Sequence, residues 1–239
     1  MKVIVCQDYA EMSVKAARII AGQIISKPDG ILGLATGSTP EGAYQELIRL
    51  YENGLIDFSE IKTYNLDEYY PIKPDNDQSY RYFMDHHLFN YVNIKKENVH
   101  IPSGEMKNPA VECKEYDEMV EKDGGIDLQL LGIGQNGHIA FNEPEEHLYL
   151  NTHKTALTES TINANSRFFS EDEIIPNASL TMGMGTIFAA KKIILLINGK
   201  SKKAAFEQLL NDRFTTSCPA TILKLHPDVT VICDAEVAD

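Results

Sequence analysis

Short apolar runs alternate along the chain with longer stretches in which apolar residues recur every three or four positions. The first pattern is typical of buried strands and the second of amphipathic helices. The predicted strands are Lys2–Cys6, Gly30–Thr36, Ile61–Leu66, Val99–Ile101, Ile126–Gly132, His153–Leu157, Lys192–Ile197 and Val229–Cys233. The predicted helices are Met12–Ser26, Glu41–Glu52, Ser79–Leu88, Ala110–Lys122, Met182–Ala189 and Lys202–Leu210, with a short turn around Thr221.

The repeated order of strand, helix and strand predicts an α/β fold. Its expected form is a three-layer, doubly wound, mostly parallel sheet with helices on both faces, as in Rossmann-like proteins. We interpret residues 1–239 as a single domain, in which the polar, weakly periodic segment 145–170 is expected to act as a lid. Because open sheets bind ligands at the carboxyl ends of their strands, the residues that follow each strand are the candidates for function.

The composition of the chain limits which binding partners and which cellular compartment we expect. The net charge of -13 argues against nucleic acid, because binding to a phosphate backbone needs a basic face. No stretch approaches the ~20 consecutive apolar residues of a membrane span. The four cysteines are scattered without a CxxC pair, which favours a reduced, cytoplasmic setting, and no cluster has the spacing of metal ligands. We therefore expect a small-molecule ligand, with no metal and no cofactor.

A glycine-rich segment, residues 132–144, follows the predicted strand Ile126–Gly132 and carries His138 and Glu143. Glycines at the end of a strand allow a tight turn and a close approach of the backbone to a ligand. A histidine beside a carboxylate is suited to proton transfer near neutral pH. The alternative is a histidine with a purely structural role, but the glycines around it favour a catalytic pair.

Two further segments have the features of anion sites. In Ala35–Pro40, a glycine and three hydroxyl residues precede a helix whose first position suits Pro40, so free N–H groups would face an anion. In Asn198–Lys203, three lysines surround a helix start, where positive charge opposes the helix dipole unless an anion lies between them. An ordinary helix start and a solvated basic turn are the respective alternatives.

Two polar segments are weaker candidates. Asn65–Tyr70 places Asp67 and Glu68 directly after a strand, as a base and its orienting group or as a solvated acidic turn. Asn163–Phe169 places Arg167 beside aromatic residues, where its planar fork suits a phosphate, although a surface arginine has the same pattern.

Together these segments resemble the glucosamine-6-phosphate deaminases of the sugar-phosphate isomerase superfamily. The resemblance extends from Leu32 to Cys233 in family order. It rests on the motifs LATGSTP at 34–40, NLDEY at 65–69, GQNGHIAFNEP at 134–144, NSRFF at 165–169 and LHP at 225–227.

The resemblance implies conversion of glucosamine 6-phosphate and water into fructose 6-phosphate and ammonia, without a cofactor or metal. It implies that His138 opens the sugar ring, that Asn136 and Glu143 form a relay around it, and that Asp67 moves a proton from C2 to C1. It implies substrate binding by Thr36, Gly37, Ser38, Thr39, Gly137, Arg167 and Lys202. Among the lysines, Lys200 and Lys203 stay open as alternatives to Lys202 for the phosphate contact.

The chain departs from the family pattern at two places. Many members have aspartate where this chain has Asn136, whose amide is expected to orient the imidazole by accepting a hydrogen bond. Larger relatives form hexamers activated by an acetylated sugar phosphate, using basic residues that His153-Lys154-Thr155 does not match. We therefore expect a monomer or small homo-oligomer with hyperbolic kinetics.

Two other functions share features of this resemblance. A 6-phosphogluconolactonase of the same superfamily would share the phosphate loop and a glycine-rich histidine segment, but Asp67 and Glu143-Pro144 favour the deaminase. A sugar-phosphate sensor of a bacterial repressor would share the fold, but the negative charge disfavours DNA.

Overall fold

A computed structural model describes residues 1–158, 162 and 175–238. The strands of the described chain are β1 (Lys2–Cys6), β2 (Ile31–Leu34), β3 (Lys62–Asn65), β4 (Asp67–Tyr70), β5 (Val99–His100), β6 (Leu128–Leu131), β7 (His153–Ala156), β8 (Ala178–Thr181), β9 (Ile193–Ile197) and β10 (Val229–Asp234). The α-helices are α1 (Tyr9–Ser26), α2 (Ser38–Glu52), α3 (Tyr80–His87), α4 (Pro109–Lys122), α5 (Met184–Phe188), α6 (Lys203–Leu210) and α7 (Ala235–Ala238). Short 3-10 turns lie at Phe89–Tyr91, Lys96–Asn98, Lys200–Lys202 and Pro219–Leu225.

Seven strands form one parallel sheet in the order β1-β10-β9-β6-β2-β3-β5. Its central strands are buried on both sides, and β9 reads Ile-Ile-Leu-Leu-Ile for that reason. One face packs against α1, α2 and α3, and the other packs against α4, α5, α6 and α7. The predicted α/β class, with a mostly parallel sheet and helices on both faces, is confirmed.

A second, antiparallel sheet with the order β4-β8-β7 stands beside the main one. Strand β4 follows β3 after a single residue, so the chain leaves the main sheet at Leu66 and enters the small one at Asp67. Neither β4 nor β8 was predicted, and the helix predicted over Met182–Ala189 is shorter, at Met184–Phe188. The predicted strand His153–Leu157 lies in this small sheet.

The predicted lid, 145–170, lies only partly within the described residues. Strand β7 falls inside it and pairs with β8. Residues 159–161 and 163–170 lie outside the described part of the chain. The lid therefore stays a prediction.

Candidate active site

The carboxyl ends of four neighbouring strands, β9, β6, β2 and β3, meet at one edge of the parallel sheet. The segments that leave these ends are four of the five segments selected from the sequence. They enclose a cavity of about 350 Å³, within the range of small-molecule sites. The cavity is lined by Ala35, Thr36, Gly37, Ser38, Thr39, Leu66, Asp67, Tyr69, Tyr80, Gly132, Ile133, His138, Ala140, Phe141, Glu143 and Lys202.

One end of the cavity is the amino terminus of α2. The residue before this helix is Gly37, whose φ of 95° is accessible mainly to glycine, and no side chain caps the helix. The Tyr9 hydroxyl donates to the Ser38 carbonyl and accepts from the Gly42 N–H. These two bonds tie the first turn of α2 to the start of α1. Uncapped N–H groups at the positive end of a helix dipole form an anion site.

Lys202 adds a full positive charge to this end. Gly199, at the turn before it, donates its N–H to Asp234 Oδ2 at 3.0 Å, and Thr39 Oγ1 donates to Asn198 Oδ1 at 2.7 Å. The second bond joins the lysine segment to the α2 loop, and the first ties it to the end of β10. Lys202 is half-buried, and this desolvation lowers the pKa of its ammonium from the ordinary value. Lys200 is exposed, and neither Lys200 nor Lys203 lines the cavity.

Asp67 and Glu68 are only 6% and 2% exposed, so the interpretation as a solvated acidic turn is wrong. They alternate along β4: Asp67 lines the cavity described above, whereas Glu68 lines a separate and smaller one. Glu68 accepts three backbone N–H bonds, from Tyr69, Tyr80 and Arg81, at 2.8 to 2.9 Å. Its carboxylate therefore fixes the start of α3 against β4.

Burial raises the pKa of Asp67 to about 8, with a smaller contribution from neighbouring Glu68. Burial also raises the pKa of Glu68 to about 7, against the opposing effect of its three N–H bonds. Within the described residues, neither an ion pair nor a hydrogen bond occupies the Asp67 carboxyl. A buried carboxyl with a raised pKa that faces a cavity is suited to remove a proton from carbon.

His138 and Glu143 line the same cavity, on the loop that follows β6. His138 Nδ1 is 2.9 Å from Glu143 Oε1, although the ring N–H does not point straight at that oxygen. The neighbouring imidazole lowers the pKa of the Glu143 carboxyl, and this effect outweighs the opposite effect of burial. Such a carboxylate fixes the ring and stabilises it once it has accepted a proton.

Asn136 does not orient the imidazole as expected. Its Nδ2 donates to Glu143 Oε2 at 2.6 Å, and its Oδ1 accepts the backbone N–H of His138 at 3.2 Å. The side-chain amide therefore positions Glu143, which in turn contacts the ring. The reason is the tight turn at 134–138, which places the amide oxygen against the backbone of His138.

Two glycines make room for this arrangement. A Cβ on Gly134 would lie 2.3 Å from Cε1 of His138, so the ring position requires glycine there. Gly137 has a φ of 86°, and a Cβ on it would lie 2.2 Å from Cys218 Sγ. Ala140 has a φ of 53°, a strained conformation for a residue with a side chain, at the point where the loop turns back to the cavity.

The structure brings eight of the predicted site residues to the cavity wall, namely Thr36, Gly37, Ser38, Thr39, Asp67, His138, Glu143 and Lys202. Asn136 and Gly137 support the wall from behind and do not line it. Arg167 lies outside the described residues.

Three aromatic residues of the wall were not selected from the sequence, namely Tyr69, Tyr80 and Phe141. Tyr69 and Phe141 lie inside motifs already singled out, but a ring beside an apolar run looks like core. No local sequence pattern marks Tyr80 as a site residue, because it reaches the cavity only through the hydrogen bond from its N–H to Glu68 at the start of α3.

The described residues contain neither a metal-type cluster nor a membrane-type helix. No three residues of the types His, Cys, Asp and Glu come together there as a metal site would need. No helix of that part of the chain is both long and apolar enough to cross a membrane.

Comparisons with known proteins show the family to which this chain belongs. The family model described as glucosamine-6-phosphate isomerases/6-phosphogluconolactonase matches residues 8–232. The chain is 56% identical to the glucosamine-6-phosphate deaminase of Thermoanaerobacter pseudethanolicus over 238 residues, 100% of this chain and 94% of the relative.

Solved structures of proteins with these activities are also similar to this chain. A monomeric glucosamine-6-phosphate deaminase superposes with a TM-score of 0.94 at 46% identity, covering 100% of this chain and 99% of the other. The 6-phosphogluconolactonase of Thermotoga maritima superposes with a TM-score of 0.78 at 21% identity, covering 98% of each chain, and shows the fold alone. The chain belongs to the glucosamine-6-phosphate isomerase/6-phosphogluconolactonase family.

Proposed function

We propose that this chain is a glucosamine-6-phosphate deaminase, which converts glucosamine 6-phosphate and water into fructose 6-phosphate and ammonia. One observation carries the proposal: Asp67, the His138–Glu143 pair, Lys202 and the uncapped start of α2 all line a single cavity. The relatives of the same name, at 46% and 56% identity, support it.

The phosphate is the anchor of the substrate. The N–H groups at the start of α2 and the ammonium of Lys202 hold it, with the loop Thr36–Thr39 around it. Binding energy from this end, remote from the reacting carbons, aligns C1 and C2 with the catalytic groups. Arg167 is proposed as a further phosphate ligand on its motif alone.

Ring opening is assigned to His138. The imidazole accepts the proton of the anomeric hydroxyl and passes it to the ring oxygen as the bond between C1 and that oxygen breaks. Glu143 stabilises the imidazolium, and Asn136 holds Glu143 in place. The product of this step is the open-chain aldehyde.

Asp67 then removes the proton from C2 of the open form. The carbonyl oxygen at C1 takes a proton that the C2 ammonium gives up through His138, which leaves a neutral enolamine, and Asp67 delivers its proton to C1. The result is an iminium group at C2, and addition of water there releases ammonia and leaves the ketose. Atoms and electrons balance between substrate, water and side chains, without an outside oxidant or reductant.

The test is an assay of purified protein with glucosamine 6-phosphate, in which ammonia and fructose 6-phosphate are measured together. Equal amounts of both products are expected. Hydrolysis of 6-phosphogluconolactone at a comparable or faster rate, without ammonia release from the amino sugar, would instead favour the lactonase of the same family.

We propose a small-molecule substrate rather than nucleic acid, given the net charge of -13. A cytoplasmic location agrees with cysteines that are all free and buried. We propose a monomer or small homo-oligomer, as the solved relative described as monomeric supports.

A further inference from the structure

The end of the cavity beside Asp67 is a wall of three aromatic rings, which the mechanism above does not use. The ring centroids of Tyr69 and Tyr80 are 4.7 Å apart, those of Tyr69 and Phe141 are 5.9 Å apart, and those of Tyr80 and Phe141 are 6.2 Å apart. All three line the cavity. We call these residues the aromatic wall.

The wall is fixed directly against Asp67. Tyr69 projects from the same face of β4 as Asp67, because side chains two residues apart on a strand share a face. Asp67 is paired across the small sheet with Thr181, whose hydroxyl accepts the backbone N–H of Phe141 at 3.1 Å. Tyr80 is placed by the bond from its N–H to Glu68. The backbone positions that carry these rings are therefore tied to the small sheet that carries the carboxyl.

The charges around Asp67 are one-sided. Glu68 is the charged neighbour that acts on the Asp67 carboxyl, and Glu143 lines the same cavity beside His138. Burial raises the pKa of Tyr80 well above its ordinary range, so its hydroxyl stays neutral. Within the described chain no lysine or arginine pairs with Asp67, and Lys202 stands at the phosphate end. A cation at this position would be attracted by the carboxylate and by the aromatic faces.

The substrate of the proposed reaction brings that cation. Its C2 nitrogen is positively charged as an ammonium and again as an iminium, whereas a hydroxyl sugar has no charge there. We propose that the aromatic wall is an ammonium subsite, in which the positive C2 nitrogen of an amino sugar phosphate lies against the faces of Tyr80 and Phe141 beside Asp67. This inference rests on the proposed function and names what selects an amino sugar over a neutral hexose phosphate.

The subsite also affects the base. Without a cation nearby, the buried Asp67 carboxyl holds its proton at neutral pH, and a positive charge within a few ångström favours the ionised form. An amino sugar bound in this way lowers the pKa of the residue that attacks its C2 proton. A neutral sugar in the same cavity leaves that base protonated.

Two open-chain inhibitors of equal size separate charge from shape: 2-amino-2-deoxyglucitol 6-phosphate, which carries an ammonium, and glucitol 6-phosphate, which does not. Calorimetry gives the dissociation constant of each, and their ratio reports the ammonium contact. In Phe141→Leu and Tyr80→Leu, we expect the preference for the amino compound to fall by about 3- to 30-fold, while affinity for the neutral compound changes by less than about twofold.

Matched variants control for loss of structure. Phe141→Tyr keeps an aromatic face and is expected to keep the preference. Lys202→Ala is expected to weaken both compounds by the same factor, since both carry the phosphate.

Equal affinity of the unaltered protein for the two compounds, or an unchanged ratio in both leucine variants, would overturn the subsite and leave the proposed function standing. Failure of the unaltered protein to bind either compound, together with no ammonia release, would overturn the proposed function and the subsite with it.

Discussion

Replacing Lys202 by alanine tests the phosphate end of the cavity, where the sequence left three lysines open. Lys202 lines the cavity and is half-buried, whereas Lys200 is exposed and Lys203 lies off the wall. A hydrogen bond to a charged group contributes about 1.5–3 kcal/mol. Since about 1.4 kcal/mol is a factor of ten, we expect the KM for glucosamine 6-phosphate to rise by about 10- to 150-fold.

The turnover number should change little, because a contact kept through the whole reaction stabilises substrate and transition state alike. The assay is initial-rate ammonia release over a range of substrate concentrations. Lys200→Ala and Lys203→Ala are matched controls that remove the same charge from the same segment, and each should keep KM within about twofold. Equal rises in all three variants, or an unmoved KM in Lys202→Ala, would refute the assignment.

The remaining predictions concern pH, the His138 loop and assembly. The folded-state pKa of Asp67, about 8, exceeds its ordinary 3.8, so stability falls as pH rises between these values. Asp67→Asn should therefore melt higher than the parent by about 3 °C or more at pH 9, with a gap that narrows as the pH falls and closes only near the ordinary value of 3.8. A gap independent of pH would contradict this cause. Gly134→Ala should lower the turnover number by about 100-fold, because its Cβ would displace the His138 ring, whereas Gly22→Ala in α1, where a Cβ meets nothing within 4 Å, should be neutral; equal activities would exclude the clash. Light scattering should give a monomer or small oligomer, and sigmoidal rates that become hyperbolic with N-acetylglucosamine 6-phosphate would contradict the expected absence of activation.

Local sequence patterns were sufficient to predict the strands of the main sheet and most of the residues that line the cavity. Continuous apolar runs such as Ile193–Ile197 occur where a strand is covered on both faces, so periodicity finds them. The rule that ligands bind at strand ends then selects the loops around Thr36–Thr39 and His138.

The small sheet could not be predicted in this way. Strand β4 reads Asp-Glu-Tyr-Tyr, so its buried carboxyls look like a solvated turn until β8 is seen beside it. Strand β8 is buried in full but reads Ala-Ser-Leu-Thr, which lacks the continuous apolar run of a strand covered on both faces. Its place depends on contacts with residues more than 100 positions away, such as the bond from Ser179 to the Glu68 carbonyl.

Side-chain partners were also beyond the reach of sequence spacing. The contact of Asn136 with Glu143 rather than with the imidazole depends on the turn that places its amide. The choice of Lys202 among three lysines depends on which face of the 3-10 turn meets the cavity.

The central claim is that Asp67 moves the C2 proton of a sugar whose ring His138 has opened in the same cavity. Glucosamine 6-phosphate labelled with deuterium at C2 tests it most directly, with NMR following the label. With the unaltered protein the label should leave C2 and appear at C1 of fructose 6-phosphate or in water, whereas Asp67→Asn should slow its loss by at least about 100-fold while still binding glucitol 6-phosphate. Loss of the label at an undiminished rate in Asp67→Asn would contradict the account.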